Sequence, residues 1–445
     1  MSVSNASSGA REPGKGGIFP AGHLLPFSLV TSLFFMWGIP NNLNDVLIRQ
    51  FMKSFSIGRF EAGLVQSAFY MGYFLLAIPA ALLMRRFGYK TGILIGLGLY
   101  SAGTFLFWPA AIEGKYLYFL GALFVIACGL SFLETASNPF IAQLGDERSS
   151  ERRLNFSQAF NPLGSISGVL IGTVFIFSGV ELNAGQISSL KAQNLYDAYL
   201  RSETLRVVKP YLILGTVAFL LALAILATRF PPIPREHERD RGGHGRFRDL
   251  LRYPHFLLAI MAQFMYVGAQ VGTWSYFIQY VQESTHQPEK VAGYFLTGTL
   301  VAFGVGRFTC AYLMRFFAPN RMLGVFASVN VLLVAIGVMY PGWVGLWAIF
   351  LTSFFMSLMF PTIFALGIKG LGANTKIGGS LIIMSIIGGA VLTPVMGLLS
   401  EDGGGIALAY LVPLAAYVCV AAYGFLGATR GLAAGATLPD TENAL

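Results

Sequence analysis

The chain has 445 residues, of which 55% are hydrophobic and 11% charged, against roughly 25% charged in an ordinary soluble domain. So few charges cannot clothe a water-soluble globule of this size. The formal net charge of +9 sits in short runs between long apolar stretches, which argues against a nucleic-acid surface and for lipid as the main solvent.

A hydrocarbon core about 30 Å thick takes roughly 20 apolar residues as a helix. Lipid supplies no hydrogen bonds to the backbone, so spans must be helices or a closed barrel, and the alternating pattern of barrel strands is absent. Residues 1–23 are rich in Gly, Ser and Pro without an apolar core. They read as a disordered cytosolic tail rather than a cleaved signal peptide. Six predicted spans follow within 24–230, beginning near residues 25, 60, 91, 116, 154 and 210. The segment 231–254, polar and rich in Pro, Gly and Arg, reads as a cytosolic linker. Six more spans within 255–428 begin near 255, 291, 322, 343, 377 and 405, and 429–445 form a second cytosolic tail.

Twelve spans put both termini on one side. That side carries 20 of the 30 Lys and Arg residues and the opposite loops carry nine, which predicts an inner-membrane protein with both termini in the cytoplasm. The halves echo one another weakly. LMRRFGYKTG after the second span and LMRFFAPNRMLG after the eighth are both short basic turns, as a duplicated six-helix unit would give. Cys128, Cys310 and Cys419 all lie in apolar stretches and read as buried small side chains, without a disulfide framework.

A charge at bilayer depth costs at least about 2.5–3.5 kcal/mol, so each one left in a span needs a reason. Glu134 lies deep in the fourth span, Asp45 closes NNLND in the first, and Arg307 lies in the eighth. Desolvation disfavours a charged carboxyl, so Glu134 reads as a group able to take and release a proton; a helix-pinning carboxylate is the plainer reading. Asp45, beside three asparagines, reads as either a proton site or a solvated helix end.

Polar groups and rings also gather in particular spans. Asn41, Asn42 and Asn44 line the first. Gln158 and Asn161 stand three apart on one face of the fifth, with Pro162 set to kink it. Gln263, Tyr266, Gln270, Trp274 and Tyr276 mix amides and rings in the seventh. Convergent amides with aromatic faces suit a sugar, although any single amide is as readily a helix-to-helix hydrogen bond. Trp108, Trp343 and Trp347 near span ends read as interfacial anchors. No phosphate loop, H-E-x-x-H motif or metal-ligand spacing occurs, so no enzyme, ATP engine, cofactor or metal is expected.

The blocks NNLNDVL, GLVQSAFYMGYF, FLETASNPFIAQLG, RLNFSQAFNPLGS, YVGAQVGTWSYFIQY, GRFTCAYLM, FPTIFALGIKGLG and IIGGAVLTPVMG occur in this order. They resemble the fucose:proton symporter family of the major facilitator superfamily over most of residues 25–425, failing in the tails, the loop 179–208 and the linker. The resemblance implies an all-α membrane protein of two six-helix bundles, working by alternating access as a proton-coupled sugar symporter, with L-fucose the favoured cargo. Glucose, galactose or N-acetylglucosamine are alternative cargoes, and an uncoupled facilitator or a non-transporting sensor are alternative roles. It also implies proton coupling at Asp45 and Glu134, and sugar contacts at Gln158 and Asn161; Asn42 is expected among the sugar contacts from its place in the first span's amide cluster. Trp37 and Trp274 look like the tryptophans near the family's cavity, and Gln270, from the seventh span's amides, is expected to join them. The expected partners are a sugar, a proton and the lipid bilayer, with no nucleic acid, and the expected state is a monomer. Pro40 and Pro162 depart from the family's pattern beside the amide clusters.

Overall fold

The computed structural model describes residues 22–145, 150–231, 247–314, 316–371, 374–401 and 405–427. Most of the expected N-terminal tail, residues 232–246 of the expected linker and all of the expected C-terminal tail lie outside them. Every regular element among the described residues is helical, and twelve helices are long and apolar enough to cross a membrane. These are α1 (Leu24–Phe55), α2 (Arg59–Met84), α3 (Tyr89–Glu113), α4 (Tyr116–Gln143), α5 (Phe156–Ile176), α6 (Tyr196–Ala227), α7 (Pro254–Ser275), α8 (Glu289–Cys310), α9 (Pro319–Met339), α10 (Trp343–Ile368), α11 (Gly378–Leu399) and α12 (Gly405–Leu426).

The expected starts match closely except for α6, which begins at Tyr196 rather than near 210. Its first turns, YDAYLRSETL, are too polar to signal a span. They nonetheless form helix because Glu203 and Thr204 are buried against the rest of the bundle. A short helix, Ala184–Ala192, precedes it, started by a capping box between Asn183 and Gln186.

Within the first half α1 packs on α5, α4 on both α2 and α3, and α3 on α6. In the second, α7 packs on α11 and α12, α9 on α10 and α12, and α8 on α10. The two bundles meet where α2 faces α11 and α5 faces α8. We call the end where α1 begins the near end and the end where it stops at Phe55 the far end.

Lipid gives helices no hydrophobic reason to associate, so close packing rests on small residues. A Cβ on Gly164 would run into the carbonyl oxygen of Phe35, and one on Gly38 into that of Asn161. Only glycine lets α1 and α5 cross this closely.

Two prolines matter for a related reason. A proline inside a helix leaves the carbonyl four residues earlier without its donor. Pro40 frees the carbonyl of Met36, which accepts from the Tyr100 hydroxyl at 3.4 Å. Pro394 frees that of Ala390, which accepts from Ser67 Oγ at 2.6 Å. The second bond joins the bundles, because Ser67 is on α2 and Ala390 on α11. Ser67→Ala is expected to cost about 0.5–1.5 kcal/mol, read as a melting temperature in detergent lowered by a degree or two; Ser67→Thr should hold it.

Other links between the bundles gather at the far end. Tyr276 Oη donates to the carbonyl of Arg59 at 2.7 Å, Arg59 pairs with Glu283, and Lys53 reaches Glu289. Toward the near end, Glu134 and Gln158 are exposed. The bundles are thus pinned at the far end around a cleft that opens toward the near one. Trp108, Trp343 and Trp347 stand about half exposed near helix ends, as interfacial anchors do. Cys128, Cys310 and Cys419 are free thiols.

Candidate functional site

Asp45 is 2% exposed and lies ten residues before the far end of α1, about 15 Å along the helix. Its carboxylate accepts three hydrogen bonds. Asn42 Nδ2 donates to Oδ2 at 3.1 Å from one turn back on α1. Gln66 Nε2 from α2 donates to Oδ1 at 2.9 Å, and Ser275 Oγ from α7 donates to the same oxygen at 3.0 Å. Gln66 and Ser275 also bond each other at 2.9 Å. Asp45 is therefore buried and polar-bound, not a solvated helix end, and donors from both bundles hold it. Among the described residues it has no ion pair. Beside it, Asn44 is fully buried with neither atom of its amide partnered.

Glu134 is placed differently. Its side chain is exposed rather than packed against a helix partner. The face it occupies is fixed by its neighbours on α4. Ser131, one turn earlier, donates to the carbonyl of Tyr73 on α2, and Asn138, one turn later, accepts from Gln158 on α5 at 3.2 Å. Glu134 thus looks out between α2 and α5, the two helices that meet the other bundle. It faces the cleft rather than lipid.

The amide pair on α5 does not share one continuous helix. The chain breaks at Ala159 between a helix ending at Gln158 and one beginning at Phe160, with Pro162 in the first turn of the second. Gln158 is exposed toward Asn138, while Asn161 is half-buried and its amide donates to the carbonyl of Phe34 at 3.4 Å. Trp37, one turn on from Phe34, is buried with its ring 4.3 Å from the Phe34 ring. Asn42, also buried, is engaged with Asp45.

On α7, the Trp274 indole donates to Ser353 Oγ at 3.0 Å and its ring meets Phe303 edge-on at 5.2 Å. Gln270, one turn before it, is half-buried and makes no hydrogen bond among the described residues. Arg307 lies over the Phe303 ring at 5.5 Å. The two sets of candidates therefore line opposing bundles, with Asp45 and Ser275 at the seam. Sequence reasoning passed over Gln66, Ser275 and Asn138. Gln66 had a usable signal, an amide seven residues into an apolar span; a serine or asparagine near other polar residues had none.

Residues 27–393 match the Major Facilitator Superfamily. The chain belongs to the Major Facilitator Superfamily. Within it, the chain falls in the fucose:proton symporter family. It is 44% identical over 405 residues to the L-fucose-proton symporter of Escherichia coli K12, covering 89% of this chain and 92% of that one. It is 34% identical over 409 residues to a glucose/galactose transporter of Brucella abortus, covering 89% and 93%. The crystal structure of the E. coli fucose symporter in the outward conformation superposes with a TM-score of 0.66 at 43% identity, over 91% of this chain and 99% of the other. This member of the superfamily is thus a multi-pass inner-membrane transporter rather than an enzyme.

Proposed function

We propose that the chain imports L-fucose together with a proton, as a monomer, with the near end in the cytosol. Two rocking units, 24–230 and 255–428, enclose the path. The observation that carries this reading is the placement of Asp45, a carboxyl buried at the seam and bonded from both bundles. Whether that carboxyl is charged bears directly on whether the bundles can part there. Adding a proton removes the cost of moving a charge through a dry seam, and the conformation that prefers the neutral form is populated accordingly.

Glu134 faces the near-end cleft with Gln158 and Asn138, which suits a group that hands the proton to the cytosol and meets the sugar on the way. The other candidates, Asn42, Asn161, Trp37, Gln270 and Trp274, supply amides and rings around the same cleft. One pH unit and about 100 mV together give roughly 3.7 kcal/mol per proton, enough for several hundred-fold accumulation.

The test is uptake of radiolabelled L-fucose, D-galactose, D-glucose and N-acetylglucosamine into proteoliposomes, with and without an imposed proton gradient. L-fucose should accumulate only with the gradient. Accumulation of another sugar instead would overturn the cargo, and equilibration without accumulation would overturn the coupling. In the same assay Glu134→Gln is expected to slow gradient-driven uptake on the order of tenfold, about 1.4 kcal/mol. Wild-type rates in that variant would remove Glu134 from the proton path.

A further inference from the structure

The far end holds charges that the transport reading leaves unused. Lys53, in the last turn of α1, is sandwiched between Glu203 of α6 and Glu289 of α8. Its Nζ lies 3.1 Å from Glu203 Oε2 and 3.2 Å from Glu289 Oε1, and also donates to Ser178 Oγ and the carbonyl of Val180 at 2.8 and 2.7 Å. These side chains are nearly dry, with 10% of Lys53, 4% of Glu203 and none of Glu289 exposed. One ammonium therefore serves two buried carboxylates, and the two pairs differ in kind. Lys53 and Glu203 belong to the same bundle, so their contact survives any rocking motion. Glu289 belongs to the other bundle, so its contact exists only while the far end is shut.

The surroundings divide in the same way. Glu203 keeps Gln50, whose Nε2 donates to its carboxylate at 3.2 Å and to its carbonyl at 2.9 Å from within the first bundle. Glu289 takes its second bond across the seam, from the backbone N–H of Gly179 at 3.1 Å, and its Oε2 is buried without a partner. Glu181, on the first bundle, accepts from the backbone N–H of Glu289 at 2.9 Å and from Gln282. Among the described residues, the Glu289 carboxylate is thus held by the first bundle's groups alone. Once parted from them, it stands in the first turn of α8, where the helix N-terminus and water stabilise a carboxylate.

We propose that Lys53 and Glu289 are positioning residues of the transport cycle. They form a charge latch that closes the far mouth, with Glu203 keeping Lys53 loaded and aimed when the mouth is open. Burying two carboxylates is tolerable only with the cation between them, since an uncompensated buried charge is far costlier than a broken pair in water. Removing Lys53 therefore penalises the closed far end more than the open one. Removing Glu289 leaves Lys53 satisfied by Glu203 and has a smaller effect of the same sign. The proposal rests on alternating access, not on the identity of the sugar or the role of Asp45.

The test is a distance across the far mouth, measured by electron paramagnetic resonance without sugar or gradient, so that it stands apart from the transport assays. Spin labels go on Ser188→Cys and Tyr340→Cys, both exposed at the far end, in a Cys419→Ser background; Cys128 and Cys310 are buried. Lys53→Gln is expected to raise the ratio of far-end-open to far-end-closed molecules on the order of tenfold. The exchange Lys53→Glu with Glu289→Lys again puts one ammonium beside two carboxylates while the mouth is shut, and strands the two carboxylates on the first bundle when it opens, so it should return the closed share to at least that of the parent. A parental distribution in Lys53→Gln, or an exchange variant as displaced as Lys53→Gln, overturns the latch. If Lys53→Gln does not fold, Glu289→Gln takes its place, with a smaller widening expected and no change overturning the proposal.

Discussion

Asp45→Asn is expected to abolish accumulation of sugar against its gradient while leaving counterflow intact. The carboxylate accepts at both oxygens, from Asn42 at one and from Gln66 and Ser275 at the other. Asparagine has a similar shape but turns one acceptor into a donor. It keeps Gln66 and Ser275 satisfied through its remaining oxygen and sets its NH2 against the Asn42 amide, which must turn away. The loss is one hydrogen bond, about 0.5–1.5 kcal/mol, and the seam stays polar and assembled. What disappears is the charged form itself. A residue locked neutral mimics the proton-loaded carrier, so sugar exchange proceeds but no longer depends on a proton. In proteoliposomes with an imposed gradient the several hundred-fold accumulation open to the parent should collapse to equilibration, while labelled sugar still exchanges with unlabelled sugar inside. Accumulation that persisted would show the coupling group to lie elsewhere. Loss of both accumulation and counterflow would show Asp45 to be needed for assembly of the seam instead.

Much of this was legible from residue order because lipid imposes strict rules. Helix count follows from apolar run length, and eleven of the twelve starts follow to within a few residues. The exception, α6, shows the rule's limit. Its first turns are polar and are held by Glu203 against Gln50 and Lys53, a tertiary interaction that no local pattern announces. The same blindness affects charges at span ends. Lys53 counted toward topology as a loop cation, yet it is buried between carboxylates contributed by helices about 150 and 236 residues away in sequence.

Among the site candidates, sequence picked out the two acids and left open whether Asp45 was buried or solvated. Asp45, at a possible helix end, is the buried one, because α2 and α7 close over it. Glu134, deep in an apolar run, is the exposed one, because its face of α4 turns to the cleft between the bundles. Periodicity says which residues share a face; it cannot say whether that face meets lipid, protein or a water-filled cleft.

The largest effect on stability is expected at a residue with no side chain. A Cβ at position 164 would strike the carbonyl oxygen of Phe35, with the Cα of Gly38 at 3.1 Å behind it. These are backbone atoms of α1, so no rotamer change relieves the clash and the two helices must move apart. Gly164→Val adds two further methyls and is expected to cost about 3 kcal/mol or more. Gly98, on α3, has nothing within 4 Å of an added Cβ. Gly98→Ala should therefore be neutral or stabilising by up to about 1 kcal/mol, as alanine is in a helix interior. Melting temperature and the monodisperse fraction after detergent extraction distinguish the two, and equal behaviour would refute the packing argument. The consequence reaches the site, because α1 carries Trp37, Asn42 and Asp45. Hydrogen bonds weaken steeply with distance and misalignment, so an outward shift of α1 by about 1 Å would pull Asp45 from Ser275 on the opposite bundle. Any Gly164→Val protein that survives extraction should then show weakened proton coupling as well as lowered stability, whereas a merely unstable carrier would couple normally while it lasted.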